Sequence, residues 1–65
     1  PEAYVGETGE VIETVDAAKG TGRIRLGSEN WVAISDKNII IETGTRATVV
    51  RMDGTKAVIS VSENP

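Results

Sequence analysis

A chain of 65 residues without Cys or His must hold its core by packing alone, because neither a disulfide nor a Cys/His zinc site can staple so small a fold. Ten acidic against seven basic side chains give a net charge of −3, which speaks against the basic stripe of a nucleic-acid module. Without Cys and His, the commonest nucleophile–base pairs and the commonest general acid–base group are also missing, so no enzyme is expected.

Residues 1–4 read as a tail, and Gly6-Glu-Thr-Gly9 as a tight approach to a first strand over residues 9–15. That Gly-x-x-Gly is no dinucleotide fingerprint, since no strand–helix–strand unit follows it. Val11, Ile12, Val15 and Ala18 also fit one helical face, but Thr8, Thr14 and Val15 are poor helix residues, Gly9 disrupts the start, and a strand is preferred. Glu2, Glu7, Glu10, Glu13 and Asp16 line this third of the chain. They lack the Asp-x-Asp-x-Asp-Gly loop that gathers calcium ligands, so they are read as a solvated face with no metal and no cofactor.

The next stretch, residues 22–35, is a hairpin of strands at 23–26 and 30–34. Ile24, Leu26, Trp31 and Ala33 share one face whether the loop is Gly27-Ser28 or the four residues 27–30, because both lengths keep the same parity. Trp31, the only tryptophan, is expected to be the single large anchor of the core, while Arg23 and Arg25 point to water. Ser35-Asp-Lys-Asn38 is a turn by composition. Ser35 and Lys37 form the one conceivable Ser–Lys pair, and a plain solvated turn is the preferred reading. Residues 39–41, all Ile, form a short strand or a buried loop leading to a turn at Gly44.

Strands follow at 45–52 and 55–61, joined by Asp53-Gly54 as a two-residue type I′ turn. That turn places Val50, Met52, Ala57, Ile59 and Val61 on one face and Ala47, Val49 and Val58 on the other. Apolar residues on both faces call for a sharp bend or a bulge midway. The expected core is therefore Ile24, Leu26, Trp31, Ala33, Val49, Ile59 and Val61, with turns at Gly27, Gly44, Asp53 and Gly54. Lys56 sits close to a hairpin tip, as in a biotinyl or lipoyl carrier, but outside the motif such carriers use. Residues 63–65 are read as a second tail. Five short, bent strands fit an all-β fold, a small five-stranded OB-type Greek-key barrel, over one domain of residues 1–65.

The early Gly6-x-x-Gly9, the Gly22-Arg-Ile-Arg-Leu-Gly27 hairpin, Trp31-Val-Ala-Ile-Ser35, and Gly44 followed by small and β-branched residues into Asp53-Gly54 occur in a particular order and spacing. In that order they resemble the soluble C-terminal domain of the NfeD (nodulation formation efficiency D) family of membrane proteins, from about Val5 to Val61. Family members usually carry a Pro-Gly turn before the central hairpin, where this chain has Asp16-Ala-Ala-Lys-Gly-Thr-Gly22. The resemblance implies the same OB barrel, transmembrane helices ahead of Pro1, and a stomatin-, prohibitin- or flotillin-like membrane partner. It also implies a role in regulating membrane protease activity or in membrane quality control, with the domain itself on the cytoplasmic side. A chain starting on Pro1 rather than Met, whose apolar runs are far too short to span a bilayer, fits a soluble piece of such a protein.

The expected contact surface is the outer face of the central hairpin, namely Arg23, Arg25 and Val32, with the loop at residues 35–40. The alternative is a soluble OB module that binds single-stranded nucleic acid. That function needs exposed aromatic platforms and a positive groove, and the chain offers only Tyr4 and Trp31 as aromatics.

Overall fold

The computed structural model describes residues 2–61. A single 3₁₀ turn at Glu2–Tyr4 precedes five strands: β1 Thr8–Asp16, β2 Thr21–Leu26, β3 Glu29–Ser35, β4 Arg46–Asp53 and β5 Lys56–Val61. They close a barrel in the order β1-β2-β3-β5-β4, with β4 returning to β1. Only β3 and β5 run parallel, which is the crossing that turns a meander into a Greek-key OB barrel. No helix among the described residues is long and apolar enough to cross a membrane.

β1 serves two neighbours because it is bent twice. Its first residues, Thr8–Glu10, pair with β4, while Glu10–Asp16 pairs with β2 through register shifts between Val11 and Glu13 and between Glu13 and Asp16. Each shift turns the strand over locally, so Glu13 goes outward while Val11 and Val15 both go into the core. Of the residues with helix-like spacing, Val11 and Val15 are thus buried from a strand, while Ile12 is half-buried and Ala18 lies exposed in the turn after β1. Two glycines allow the strands to cross so closely. A Cβ on Gly9 would collide with the Arg25 carbonyl oxygen, and one on Gly22 with the Ala33 carbonyl oxygen.

The interior is filled by Val11, Val15, Ile24, Leu26, Ala33, Ile41, Ala47, Val49, Ala57 and Ile59, with Tyr4, Trp31, Met52 and Val61 packed against it from the rim. Trp31 is thus not the central anchor expected from the sequence. It is half-buried at the edge, while Ile24, Leu26 and Ile59 take the middle. Five strands close a cylinder too narrow for an indole at its centre, and branched aliphatics from opposite walls fill it instead.

The last hairpin differs from expectation in its turn and in one face. Asp53 is the final residue of β4, directly opposite Lys56, and the two-residue loop is Gly54-Thr55. Gly54 has φ 63° and Thr55 no positive φ, which is the type II′ arrangement rather than type I′. The same arrangement joins β2 to β3: Leu26 faces Glu29 across Gly27-Ser28, and Gly27 has φ 63°. A register shift between Val49 and Arg51 makes Val50 the bulged residue and turns it to solvent, so Ala47 and Val49 line the core with Ala57 and Ile59. Val58 points the other way, between Ile34 and Arg51 on the neighbouring strands, yet is buried as well.

Residues 36–45 connect β3 to β4. Ile41 closes the barrel end by a bridge to Val15, each amide donating to the other's carbonyl (2.8 and 3.0 Å). Ile39 and Ile40 point outward, so the Ile triplet is neither a strand nor a wholly buried loop. At Gly44, whose φ is 94°, the chain turns and the Gly44 amide donates to the Val11 carbonyl (2.7 Å). The expected tail at residues 1–4 is instead the 3₁₀ turn from Glu2 on, and the tail expected at 63–65 lies outside the described residues.

Candidate interaction face

The outer face of β1, β2 and β3 is built as rows of opposite charge. Arg25 stands between Glu10 on β1 and Asn30 on β3, and Glu10 also faces Arg46 on β4. The next row runs Glu13, Arg23, Val32, Lys56, Asp53 across all five strands. Arg23 Nε lies 4.0 Å from Glu13 Oε1, and both side chains are about half exposed (51% and 49%), so the pair adds at most about 1 kcal/mol. Arg25 stands opposite Glu10 in the same way, so each arginine of this face has a glutamate as its cross-strand neighbour. Val32, 37% exposed, is the apolar interruption in its row.

Beside Val32 the barrel opens. β2 and β3 are paired only as far as Arg23–Val32, although β3 runs on to Ser35. Beyond that point β2 has swung across to β1, where Thr21 faces Asp16. A groove of about 430 Å³ lies in the gap, floored by Val15 and Ala33 and flanked by Val32, Ile34 and Ile39. Its only charged lining residue is Lys56. Ile39, at 49% exposure, and Ile40, at 57%, are the most exposed large apolar side chains among the described residues.

The loop bearing them is held by Ser35, whose hydroxyl oxygen accepts hydrogen bonds from the amides of Lys37 (3.1 Å) and Ile39 (3.2 Å). Asn38 takes a positive φ of 59° between them. A serine whose lone pairs cap a turn in this way is a structural element, which accounts for the Ser35–Lys37 spacing. No group of three or more His, Cys, Asp or Glu among the described residues could hold a metal ion.

The second cluster on the surface joins residues far apart in sequence. The Tyr4 hydroxyl donates to Glu29 Oε1 (2.6 Å), and Trp31 Nε1 donates to the same oxygen (3.3 Å). The two rings meet edge to face, with centroids 5.3 Å apart. The Glu29 carboxylate holds the Tyr4 phenol above its usual ionisation range, because deprotonation would place an anion against it. The only two aromatic residues therefore pack edge to face, and the 3₁₀ turn is fastened to the barrel.

Of the residues expected in the core, Ile24, Leu26, Ala33, Val49 and Ile59 are buried, Val61 is half-buried, and Trp31 is at the rim. Arg23, Arg25 and Val32 are exposed on the hairpin's outer face, but only Val32 lines the groove. Sequence reading missed Lys56 as its neighbour, since that adjacency arises from the parallel β3–β5 crossing. It missed Tyr4 as well, whose partner Glu29 is 25 positions away.

Residues 1–60 match the NfeD-like C-terminal, partner-binding domain. The C-terminal domain of stomatin operon partner protein 1510-C from Pyrococcus horikoshii superimposes with a TM-score of 0.85 and 32% identity, covering 97% of this chain and 94% of that one. The soluble domain of a membrane protein implicated in regulation of membrane protease activity, from Corynebacterium glutamicum, gives 0.82 and 33% identity, over 91% and 92% of the two chains. No curated protein sequence matches the chain significantly. With a family match over nearly its whole length and the same barrel in two solved relatives, this chain belongs to the NfeD-like C-terminal, partner-binding domains.

Proposed function

We propose that this barrel is the non-catalytic docking domain of a membrane-anchored NfeD-like protein. It binds a stomatin-, prohibitin- or flotillin-like membrane protein from the cytoplasmic side, and the pair acts in regulating membrane protease activity or membrane quality control. The observation that carries this reading is the match of residues 1–60 to a partner-binding domain. The stomatin operon partner and the protease-regulating membrane protein among the similar structures support the class of partner. A closed barrel with two-residue turns suits docking, because it offers a fixed surface that loses little entropy on binding.

The non-catalytic part rests on the capping role of the Ser35 hydroxyl and on the lack of Cys and His. Single-stranded nucleic acid is disfavoured by the same geometry. Arg23, Arg25 and Arg46 each face a glutamate, and Tyr4 and Trp31 are engaged with each other edge to face and with Glu29.

The test is capture of the stomatin-like partner by the anchored parent protein, with and without residues 1–65. Loss of capture on deletion is expected. Capture that survives deletion, or micromolar binding of the isolated barrel to single-stranded DNA at physiological salt, contradicts the proposal.

A further inference from the structure

We propose that the groove between β2 and β3 takes an extended, apolar segment of the partner flanked by acidic residues, which lies along the end of β3. This rests on the partner-binding reading above and names where and how that binding occurs. Three features of the groove converge on such an occupant. Its floor and walls are apolar, formed by Val15, Ala33, Ile34 and Ile39. One wall is an incompletely paired strand. The Asp36 amide donates to the Ile59 carbonyl (2.9 Å), so Asp36 turns its main chain toward β5, and by alternation Ser35 turns its N–H and C=O the other way, toward the groove. An extended chain entering there can add main-chain hydrogen bonds to apolar contact, the mode of β-strand addition.

The third feature is charge. Lys56 lines the groove with no carboxylate beside it in the lining. The β1–β2 loop that forms one wall carries Lys19, and the turn that forms another carries Lys37. Neither Lys19 nor Lys37 lines the groove, so Lys56 is the one charged side chain in its lining. Asp16 and Asp36 share those loops but do not line the groove, and the Asp16 carboxylate is turned onto the Ala18 amide (3.0 Å). Arg23, Arg25 and Arg46 face glutamates, and Asp53 faces Lys56 from outside the lining, so within the groove Lys56 is the charge that a negative flank meets.

The test uses three synthetic peptides and the amide NMR spectrum of the barrel at low salt. The first is acetyl-Glu-Val-Thr-Val-Ile-Glu-amide; the second has Lys at both ends; the third has the first sequence with Pro replacing Thr. Saturable shifts are expected at Thr21, Ser35, Asn38 and Ile39 with the Glu-flanked peptide, and binding about fivefold weaker with the Lys-flanked one. Lys56→Glu, a change at an exposed position, is expected to invert that order, and the Pro peptide, which lacks a donor at its centre, to bind least. No saturable shift, shifts outside the groove, or an order unmoved by Lys56→Glu overturns the proposal. If these peptides fail while the barrel is still needed for partner capture, the groove assignment falls and the docking role stands. If capture survives barrel deletion, the role itself falls.

Discussion

Single positions in this barrel differ sharply in how much they constrain it. Gly9 and Gly22 lie where one strand's main chain passes over another, so Gly9→Ala drives a methyl group against the Arg25 carbonyl with no flexible side chain to yield. A loss of about 2 kcal/mol or more is expected by thermal or urea unfolding. Gly20→Ala, at φ 69° but facing open space, is expected to cost only about 1 kcal/mol. Equal losses would show that the crossing is looser than described. Burial ranks the core in the same way. Ile59→Ala empties a fully enclosed site and is expected to cost about 3–4 kcal/mol, whereas Trp31→Ala, at the rim, loses about 2 kcal/mol despite its size. A larger loss at Trp31 than at Ile59 would restore the indole to the role of central anchor.

At the scale of elements, the two tight hairpins and the aromatic fastening are the parts most open to test. Gly54→Val places a β-branched residue at positive φ and is expected to destabilise by about 1 kcal/mol or more, with Gly54→Asn milder. Indifference to both in denaturant unfolding would mean a longer loop. The 3₁₀ turn depends on one carboxylate shared by Tyr4 and Trp31. Because the folded phenol ionises above its unfolded value, the bond contributes fully at neutral pH and is lost only as the pH rises through the elevated folded value. Glu29→Gln is expected to return the Tyr4 ultraviolet titration to the ordinary tyrosine range, and Tyr4→Phe to shift Trp31 fluorescence without unfolding the barrel. An unchanged titration in Glu29→Gln contradicts the bond. The five strands were legible in the sequence within a residue or two because period-2 patterning and Gly-rich turns encode them locally. The need for a bulge in β4 was legible too, from apolar residues on both its faces. Its position at Val50 was not, nor was the shift of the turn to Gly54-Thr55, because Asp53 extends the β4 ladder by one more pair, opposite Lys56. The groove was legible only in fragments. Val32 and the loop at 35–40 stood out, but their meeting with Val15 and Lys56 follows from a doubly bulged β1 and a parallel crossing.

As a whole molecule, the barrel sets Arg23, Arg25 and Arg46 opposite glutamates and leaves an apolar groove whose one charged lining residue is Lys56. On the proposed docking role, confining domain and partner to one membrane raises their effective concentration without any new contact, so a contact weak in solution would still form there. The most direct measurement is therefore energy transfer between a labelled barrel and a labelled stomatin-like partner embedded in the same vesicles, with the barrel either tethered to the lipid or free. Transfer with the tethered barrel, little with the free one, and loss on Lys56→Glu are expected. Equal transfer from the tethered wild type and a tethered unrelated barrel of the same charge would contradict partner binding by this domain.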